Sequence, residues 1–328
     1  NPTVSGYTRQ DLLIWQGVVA TALENAAVGP EDILQISLDP GLDNWGRDYK
    51  SGAETIGASV IPNTLLSIEK QLMVMRDYKP SVLVTTPSYA RQVALHLDAG
   101  QQKLTDFNLK TLILVGEPAD PTLRRFLEKA LNVSCWQHFG LSEVPGPALA
   151  YECKHHSCLH VNDEHFLPEI IAPESGAPVP PGAVGELVLT TLTTRAFPLI
   201  RFRTGDRARM VTEPCSCDCR LARIEWLPER TDHLVCIRGV KVHRQQVLAA
   251  VENALGFKPQ DCCLFENRYE EKVYLEIWVA VEDAFFSDAI KMLENRMKTI
   301  RNQVQEDTGV PVVVRLKERG TIEAGPSV

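Results

Sequence analysis

From residue 111 to residue 143 the chain reads TLILVGEPADPTLRRFLEKALNVSCWQHFGLSE, and this stretch decides the fold class. Residues 111–115 are a short run of apolar and β-branched side chains, the mark of a fully buried strand. Gly116-Glu117-Pro118 breaks the run. Pro121–Leu131 then reads as a helix with proline in its first turn, where a missing N–H costs least. Residues 133–137 form a second short β-like run, and Phe139-Gly140-Leu141-Ser142-Glu143 follows it. Apolar strands separated by helices predict a buried parallel sheet in an α/β domain.

The same alternation extends upstream. Residues 8–26 carry helical apolar spacing through Leu12, Leu13, Trp15, Val18, Val19 and Leu23, and end near Gly29-Pro30. Short apolar runs at 33–37, 59–61 and 81–84 read as strands, and 52–57, 65–77 and 88–97 as helices. After residue 150 the character changes. Residues 173–185 are rich in Pro and Gly, and 185–192, 198–202 and 207–211 predict strands of a β-rich section. A third change comes near residue 230. A strand-turn-strand at 234–242 leads to a helix (245–255), strands (262–266 and 273–281), a helix (284–305) and a last strand (310–316). The expected organisation is a large α/β domain over 1–230 and a small α+β domain over 231–328.

The chain has 328 residues, 44% of them hydrophobic and 23% charged, ordinary values for a globular protein. A net charge of −8 disfavours nucleic acid, whose backbone selects a basic face. No apolar run is long enough to span a bilayer, and the start resembles no signal peptide, so no membrane partner is expected. The first residue is Asn1, which reads as the middle of a loop and leads us to expect a piece of a longer protein. Nine cysteines without a signal sequence favour a reducing cytoplasm over a disulfide framework.

Two motifs carry chemistry. Residues 139–143 offer an aromatic face, a flexible glycine, a hydroxyl and a carboxylate. Residues 201–206, Arg-Phe-Arg-Thr-Gly-Asp, offer fixed cations and a carboxylate beside a glycine. A nucleotide requires a stacking surface, a donor for phosphate, an acid for Mg²⁺ and an acid for the ribose diol. Each motif also has a plain structural reading. Asp206 suits a turn, Arg201 and Arg203 suit the polar face of a strand, and Arg230-Thr231-Asp232 suits an ion-paired linker. Gly116 to Pro118 stands where open α/β sheets bind ligands, at the carboxyl end of a strand.

Taken in order, these motifs resemble the adenylate-forming superfamily, and within it the phenylacetate–CoA ligase family. The local matches are Thr86-Pro87-Ser88-Tyr89-Ala90, 139–143 with Gly146-Pro147 and Glu152-Cys153, FLPEII at 166–171, GELVLTT at 185–191, 201–206, and IRGVKV at 237–242. The resemblance implies an AMP-forming acid–CoA ligase that activates an aryl or arylacetic acid with ATP, using Mg²⁺ and coenzyme A. It places Phe139 and Gly140 against adenine, Gly116, Glu117 and Pro118 along the adenine edge, and Ser142 on phosphate. Glu143 would hold Mg²⁺ and Asp206 the ribose hydroxyls. Arg230 would contact ribose or phosphate, and Asp232 would be the hinge about which the small domain turns. Thr86, Pro87, Ser88 and Tyr89 would enclose the acid, and Gly239 would face the site during thioester formation. Relatives are often homodimers.

Two departures accompany the resemblance. The family's Ser/Thr/Gly-rich phosphate loop would precede Asn1-Pro2-Thr3, and its catalytic lysine would follow Val328, so the sequence as it stands is expected to be nearly inactive. Before the Gly-Ala-Glu-like segment, where the family is aromatic and glycine-rich, residues 39–49 read DPGLDNWGRDY. That points to an acid larger or more polar than phenylacetate, with Arg47 available to a second anionic group. Alternatives are a deazaflavin-adenylating synthetase without CoA transfer, or a noncatalytic nucleotide-binding relative. A zinc-dependent nucleic-acid binder fits the charge poorly.

The cysteines and histidines cluster as Cys153, His155, His156, Cys158 and His160, and as Cys215 and Cys217. Structural zinc takes four such ligands in a tetrahedron. Cys153, His160, Cys215 and Cys217 are the expected set, with His155 or Cys158 as substitutes. Four protein ligands leave no open position, so the metal's role would be structural.

Overall fold

The structure, a computed structural model, describes residues 4–318 apart from 63, 65, 100–103, 145, 218, 233, 238–239, 258–261, 270–271 and 282–289. It divides into two compact units, Asn1–Asp232 and His233–Val328. The larger unit begins with helix α1 (Arg9–Asn25), whose first turn is closed by a reciprocal capping box between Thr8 and Asp11. Strands β1 (Ile33–Ser37), β2 (Ser59–Ile61), β3 (Val82–Thr85), β4 (Thr111–Leu114) and β5 (Ser134–Phe139) follow, joined by helices α2 (Asp43–Thr55), α3 (Ile68–Tyr78), α4 (Pro87–Ala99) and α5 (Pro121–Leu131). These five strands are parallel and stand in the order β2-β1-β3-β4-β5. The order reverses between β1 and β3, and loops leaving the carboxyl ends of strands beside such a switch point form the ligand crevice of open α/β sheets.

The sheet continues through β6 (Ala150–Glu152), β7 (Leu159–Val161), β8 (Phe166–Ile171), β9 (Gly185–Thr191), β10 (Phe202–Met210) and β11 (Arg223–Arg230). All six add antiparallel, in the spatial order β5-β6-β7-β11-β10-β9-β8, giving eleven strands. Here the structure corrects the sequence reading. Of the strand expected at 198–202 only Phe202 is strand: it opens β10, which takes in most of the strand expected at 207–211 and is bulged between Arg203 and Arg207 against β9 and between Asp206 and Ala208 against β11. The helix expected at 52–57 is only the end of α2. Gly46 and the polar residues around it weaken the local helical signal, yet Trp45 and Tyr49 bury one face of α2. Gly52 lets α2 approach α1, since a Cβ there would lie 2.6 Å from Val19 Cγ1.

The smaller unit holds the hairpin β12 (Leu234–Ile237) and β13 (Val240–His243), helices α6 (Arg244–Leu255) and α7 (Ile290–Thr308), and the sheet β14 (Cys262–Tyr269), β15 (Lys272–Val281) and β16 (Val312–Glu318). Leu264, Leu275, Ile277 and Val279 pack with Val247 and Val251 of α6 and with Ile300 and Val304 of α7 in a core of its own. Among the described residues no helix is long and apolar enough to cross a membrane.

Candidate functional site

Three loops leave the carboxyl ends of neighbouring parallel strands. Thr86 to Tyr89 follow β3 and enter α4, Gly116 to Pro118 follow β4, and residues 140–143 follow β5. Thr86, Ser88 and Tyr89 are buried, and Pro87 is the first residue of α4. The Glu117 carboxylate accepts the Ser88 N–H at 3.1 Å and the Ser88 hydroxyl at 2.9 Å. An acid on the first N–H groups of a helix is favoured by the unpaired donors and by the helix dipole. Thr86 Oγ1 lies 3.2 Å from Ser88 Oγ, and the Tyr89 hydroxyl donates to the Leu66 carbonyl at 2.9 Å. Gly116 has φ +85°, which turns the chain off β4 in a conformation glycine adopts freely.

Gln137 was not singled out from the sequence, yet it braces the second loop. Its amide nitrogen donates to the carbonyls of Glu117 at 2.9 Å and Leu114 at 3.1 Å, and its Oε1 accepts the Ala119 N–H at 2.9 Å. Its own N–H donates at 2.7 Å to Glu152, a buried carboxylate that also accepts Arg124 Nη2 at 2.6 and 2.8 Å and lies 3.2 Å from His156 Nδ1. Burial alone would raise the Glu152 pKa, but the His156 contact and the Arg124 guanidinium outweigh it and hold the carboxyl below its ordinary value. A buried glutamate between apolar strand residues was the sequence signal that could have revealed it.

The Phe139 ring is 1% exposed and packs edge-on against Trp226 at 4.8 Å between centroids. It is a core side chain here, and stacking on adenine requires its face to be uncovered. Gly140 lies where a Cβ would come within 2.7 Å of the Gly146 carbonyl, so the loop after β5 is tightly folded. Ser142 is exposed, and Glu143 is half-buried with an Oε2 that is itself enclosed and accepts no hydrogen bond. The Ser5 hydroxyl donates to the Glu143 carbonyl at 3.3 Å. A cation or a donor would satisfy that oxygen.

Asp206 and Arg230 face one another across β10 and β11, with Arg230 Nη1 donating to Asp206 Oδ1 at 2.5 Å. The same guanidinium donates to both oxygens of Asp232, at 2.8 and 2.6 Å, and to the Thr204 carbonyl at 2.8 Å. Burial works against the Arg230 charge, and the Asp232 and Asp206 carboxylates more than offset it, raising its pKa. The other cations of this motif are engaged elsewhere, Arg201 with Glu169 and Arg203 with Glu186. Arg47, offered by the sequence to a substrate anion, pairs with Asp48 at 3.3 Å. Gly239 lies outside the described residues.

Cys153, His160, Cys215 and Cys217 converge so that one ligand atom of each lies within 4.8 Å of the other three. Cys153 Sγ is 3.6 Å from Cys215 Sγ, and Cys217 Sγ is 3.5 Å from His160 Nε2. Tetrahedral zinc with thiolates at about 2.3 Å needs sulfurs roughly 3.8 Å apart, so the cluster fits such an ion. Without a cation, burial pushes the Cys153 thiol up to about 12. Of the expected substitutes, His155 is exposed, and Cys158 accepts Arg223 Nη1 at 3.0 Å.

A family model described as AMP-binding enzyme matches residues 53–193. The chain is 33% identical over 334 residues to phenylacetate-coenzyme A ligase of Thermus thermophilus, with 97% of this chain and 74% of that protein aligned. It is 31% identical over 327 residues to phenylacetate-coenzyme A ligase of Pseudomonas putida, covering 98% of this chain and 73% of that one. Among solved structures, 2-hydroxyisobutyryl-CoA ligase in complex with 2-HIB-AMP and CoA superimposes with a TM-score of 0.89 at 21% identity, covering 100% of this chain and 70% of that chain. That likeness establishes the fold.

Proposed function

Because the chain belongs to the phenylacetate–CoA ligase family of AMP-binding enzymes, we propose that the loops after β3, β4 and β5 activate an aryl or arylacetic acid. The chain is an AMP-forming acid–CoA ligase. The acid's carboxylate attacks the α-phosphorus of ATP and pyrophosphate leaves. The CoA thiol then attacks the acyl carbon of the mixed anhydride and AMP leaves.

The chemistry needs no protein nucleophile. It needs the carboxylate and the phosphate held in line, and charge neutralised as it develops. In this reading Thr86 to Tyr89 enclose the acid, Gly116 to Pro118 present backbone groups to the adenine edge, and Gly140 lies on the adenine's other side with the buried Phe139 supporting that loop from the core. Asp206 takes the ribose hydroxyls. Arg230, already fixed by Asp206, Asp232 and Thr204, is a preorganised cation beside the ribose and phosphate. Ser142 donates to phosphate. Glu143 Oε2 would hold Mg²⁺, which supplies charge neutralisation on the phosphates. Cys153, His160, Cys215 and Cys217 would hold a structural zinc ion, consistent with a reducing cytoplasm.

The observation that carries this proposal is the Ser88–Glu117 contact, which ties the acid-enclosing loop to the nucleotide-facing one at the carboxyl edge of a parallel sheet. The test is an acid-dependent pyrophosphate-release screen of aryl, arylacetic and fatty acids on the full-length protein, followed by CoA-dependent AMP release. Turnover is expected with aryl or arylacetic acids and only with CoA present for AMP release. A preference for fatty acids would overturn the assigned acid class. AMP adducts that accumulate and ignore CoA would favour the adenylating-synthetase alternative.

A further inference from the structure

Glu152 stands between two parts of the molecule. It immediately precedes Cys153 of the metal cluster, and its carboxylate accepts the Gln137 N–H at 2.7 Å. Its other contacts hold the same neighbourhood. Arg124 bridges it to the Cys135 carbonyl, which Arg124 Nη1 reaches at 2.8 Å. His156, in a left-handed conformation at φ +49°, packs its ring 4.5 Å from that of Trp136. The turn carrying both is closed by the His156 N–H on the Cys153 carbonyl at 2.9 Å. The metal-bearing loop therefore continues directly from the Glu152 backbone and supplies His156 to its carboxylate.

Gln137 carries the connection onward. Its side-chain amide is committed to Leu114, Glu117 and Ala119, and Glu117 in turn holds Ser88. An amide committed to three backbone groups of one loop shapes that loop. It acts on a ligand through the loop. A shift of the Cys153 turn would move Glu152, release the Gln137 backbone and alter the carbonyls and N–H groups between Leu114 and Ala119.

We infer that Glu152 and Gln137 are positioning residues through which the metal-bearing loop fixes the nucleotide-facing loop, so that metal loading sets ATP affinity. This rests on the reading above that Gly116 to Pro118 face the nucleotide. The experiment measures the ATP dissociation constant by calorimetry, the acid KM, metal content and unfolding midpoint. The proteins are wild type, Gln137→Glu, Glu152→Gln, Cys217→Ser and the double variant Cys217→Ser/Gln137→Glu. Gln137→Glu keeps the shape but aims a carboxylate at two carbonyls, and should weaken ATP about tenfold, the loss of one good contact, while the metal content stays at the wild-type level. Cys217→Ser should weaken ATP by a similar factor alone and by less than about twofold in the Gln137→Glu background, because the connection is already cut.

A Gln137→Glu protein that keeps its metal and its ATP affinity overturns the positioning role. Equal losses in both backgrounds, or full ATP affinity in metal-free wild type, overturn the coupling. If Gln137→Glu does not fold, amide exchange over residues 114–119 decides, being faster in Cys217→Ser and Glu152→Gln than in wild type; unchanged exchange overturns the inference. Failure of wild type to bind ATP at all would instead remove the nucleotide reading and this inference with it.

Discussion

His138 is fully buried, with its Nδ1 2.9 Å from the Tyr49 hydroxyl. Burial pushes its pKa from 6.5 down to about 4, against a weaker opposing pull from Glu152. Between those values the unfolded chain binds a proton that the folded chain refuses, so stability rises with pH. The contribution is complete above about pH 6.5 and is lost as pH falls toward 4, on the order of 3 kcal/mol in all. Asp48 works the other way. Burial pushes it from 3.8 up to about 6, with Arg47 opposing, so its folded form gains a proton as pH falls through that window. Urea midpoints between pH 6.5 and 4 should therefore flatten in His138→Gln and steepen in Asp48→Asn; parallel curves for all three proteins would refute the assignment. Gly205 is the second residue with a forced identity. Its φ is +73°, and a Cβ would lie 2.0 Å from Asp232 Oδ2 and 2.6 Å from Arg230 Nη2. Gly205→Ala should cost about 2 kcal/mol or more through backbone strain and displacement of the Arg230 pair, read as a lower urea midpoint. The turn chemistry of Gly205 was legible in the sequence. That it sits inside a strand, beneath a guanidinium shared by two aspartates, was not.

At the scale of elements, Asp11 shows one carboxylate serving two segments. It closes the capping box of α1 and also accepts the N–H groups of Arg195 at 2.9 Å and Ala196 at 3.3 Å. Burial alone would raise its pKa, and these hydrogen bonds lower it overall. Asp11→Ala leaves the Thr8 cap but removes the reciprocal half of the capping box, and it leaves the N–H groups of Thr8, Arg195 and Ala196 without an acceptor, so a total loss of roughly 2–3 kcal/mol is expected. Limited proteolysis near Arg195 should also quicken, because Asp11 holds the N–H groups of Arg195 and Ala196 and the neighbouring Phe197 and Ile200 are exposed. Unchanged cleavage in a destabilised variant would limit the role of Asp11 to the helix cap. The helix α5 and strands β1 and β2 were readable along the chain, through Pro121 in the first turn and through runs such as Ile33–Ser37. Strands β6, β7 and β11 were not. They are short or carry charges, as Arg223 and Glu225 do in β11, and they are strands because of what they pair with.

At the scale of the whole molecule, the two units have separate cores, and Cys153, His160, Cys215 and Cys217 all lie in the larger one. With the proposed zinc ion held by these four residues, a chelator or Cys217→Ser should lower the calorimetric midpoint of the larger unit by on the order of 5 °C and leave that of the smaller unit in place. Equal shifts in both transitions, or none, would contradict a structural ion confined to residues 153–217. The sequence by itself determined the alternation of strands and helices, the parallel half of the sheet and the family, because those rest on local propensity, periodicity and motifs contiguous along the chain. It also supplied the cysteines and histidines as candidates. Only the tertiary structure decided that β7 pairs with β11, which places His160 opposite Arg223, that Glu152 meets Gln137, and that Phe139 lies buried against Trp226. Each of these joins positions far apart along the chain. Such pairings are selected by the burial of apolar surface and the satisfaction of enclosed polar groups over the folded whole, and no window of sequence contains that information.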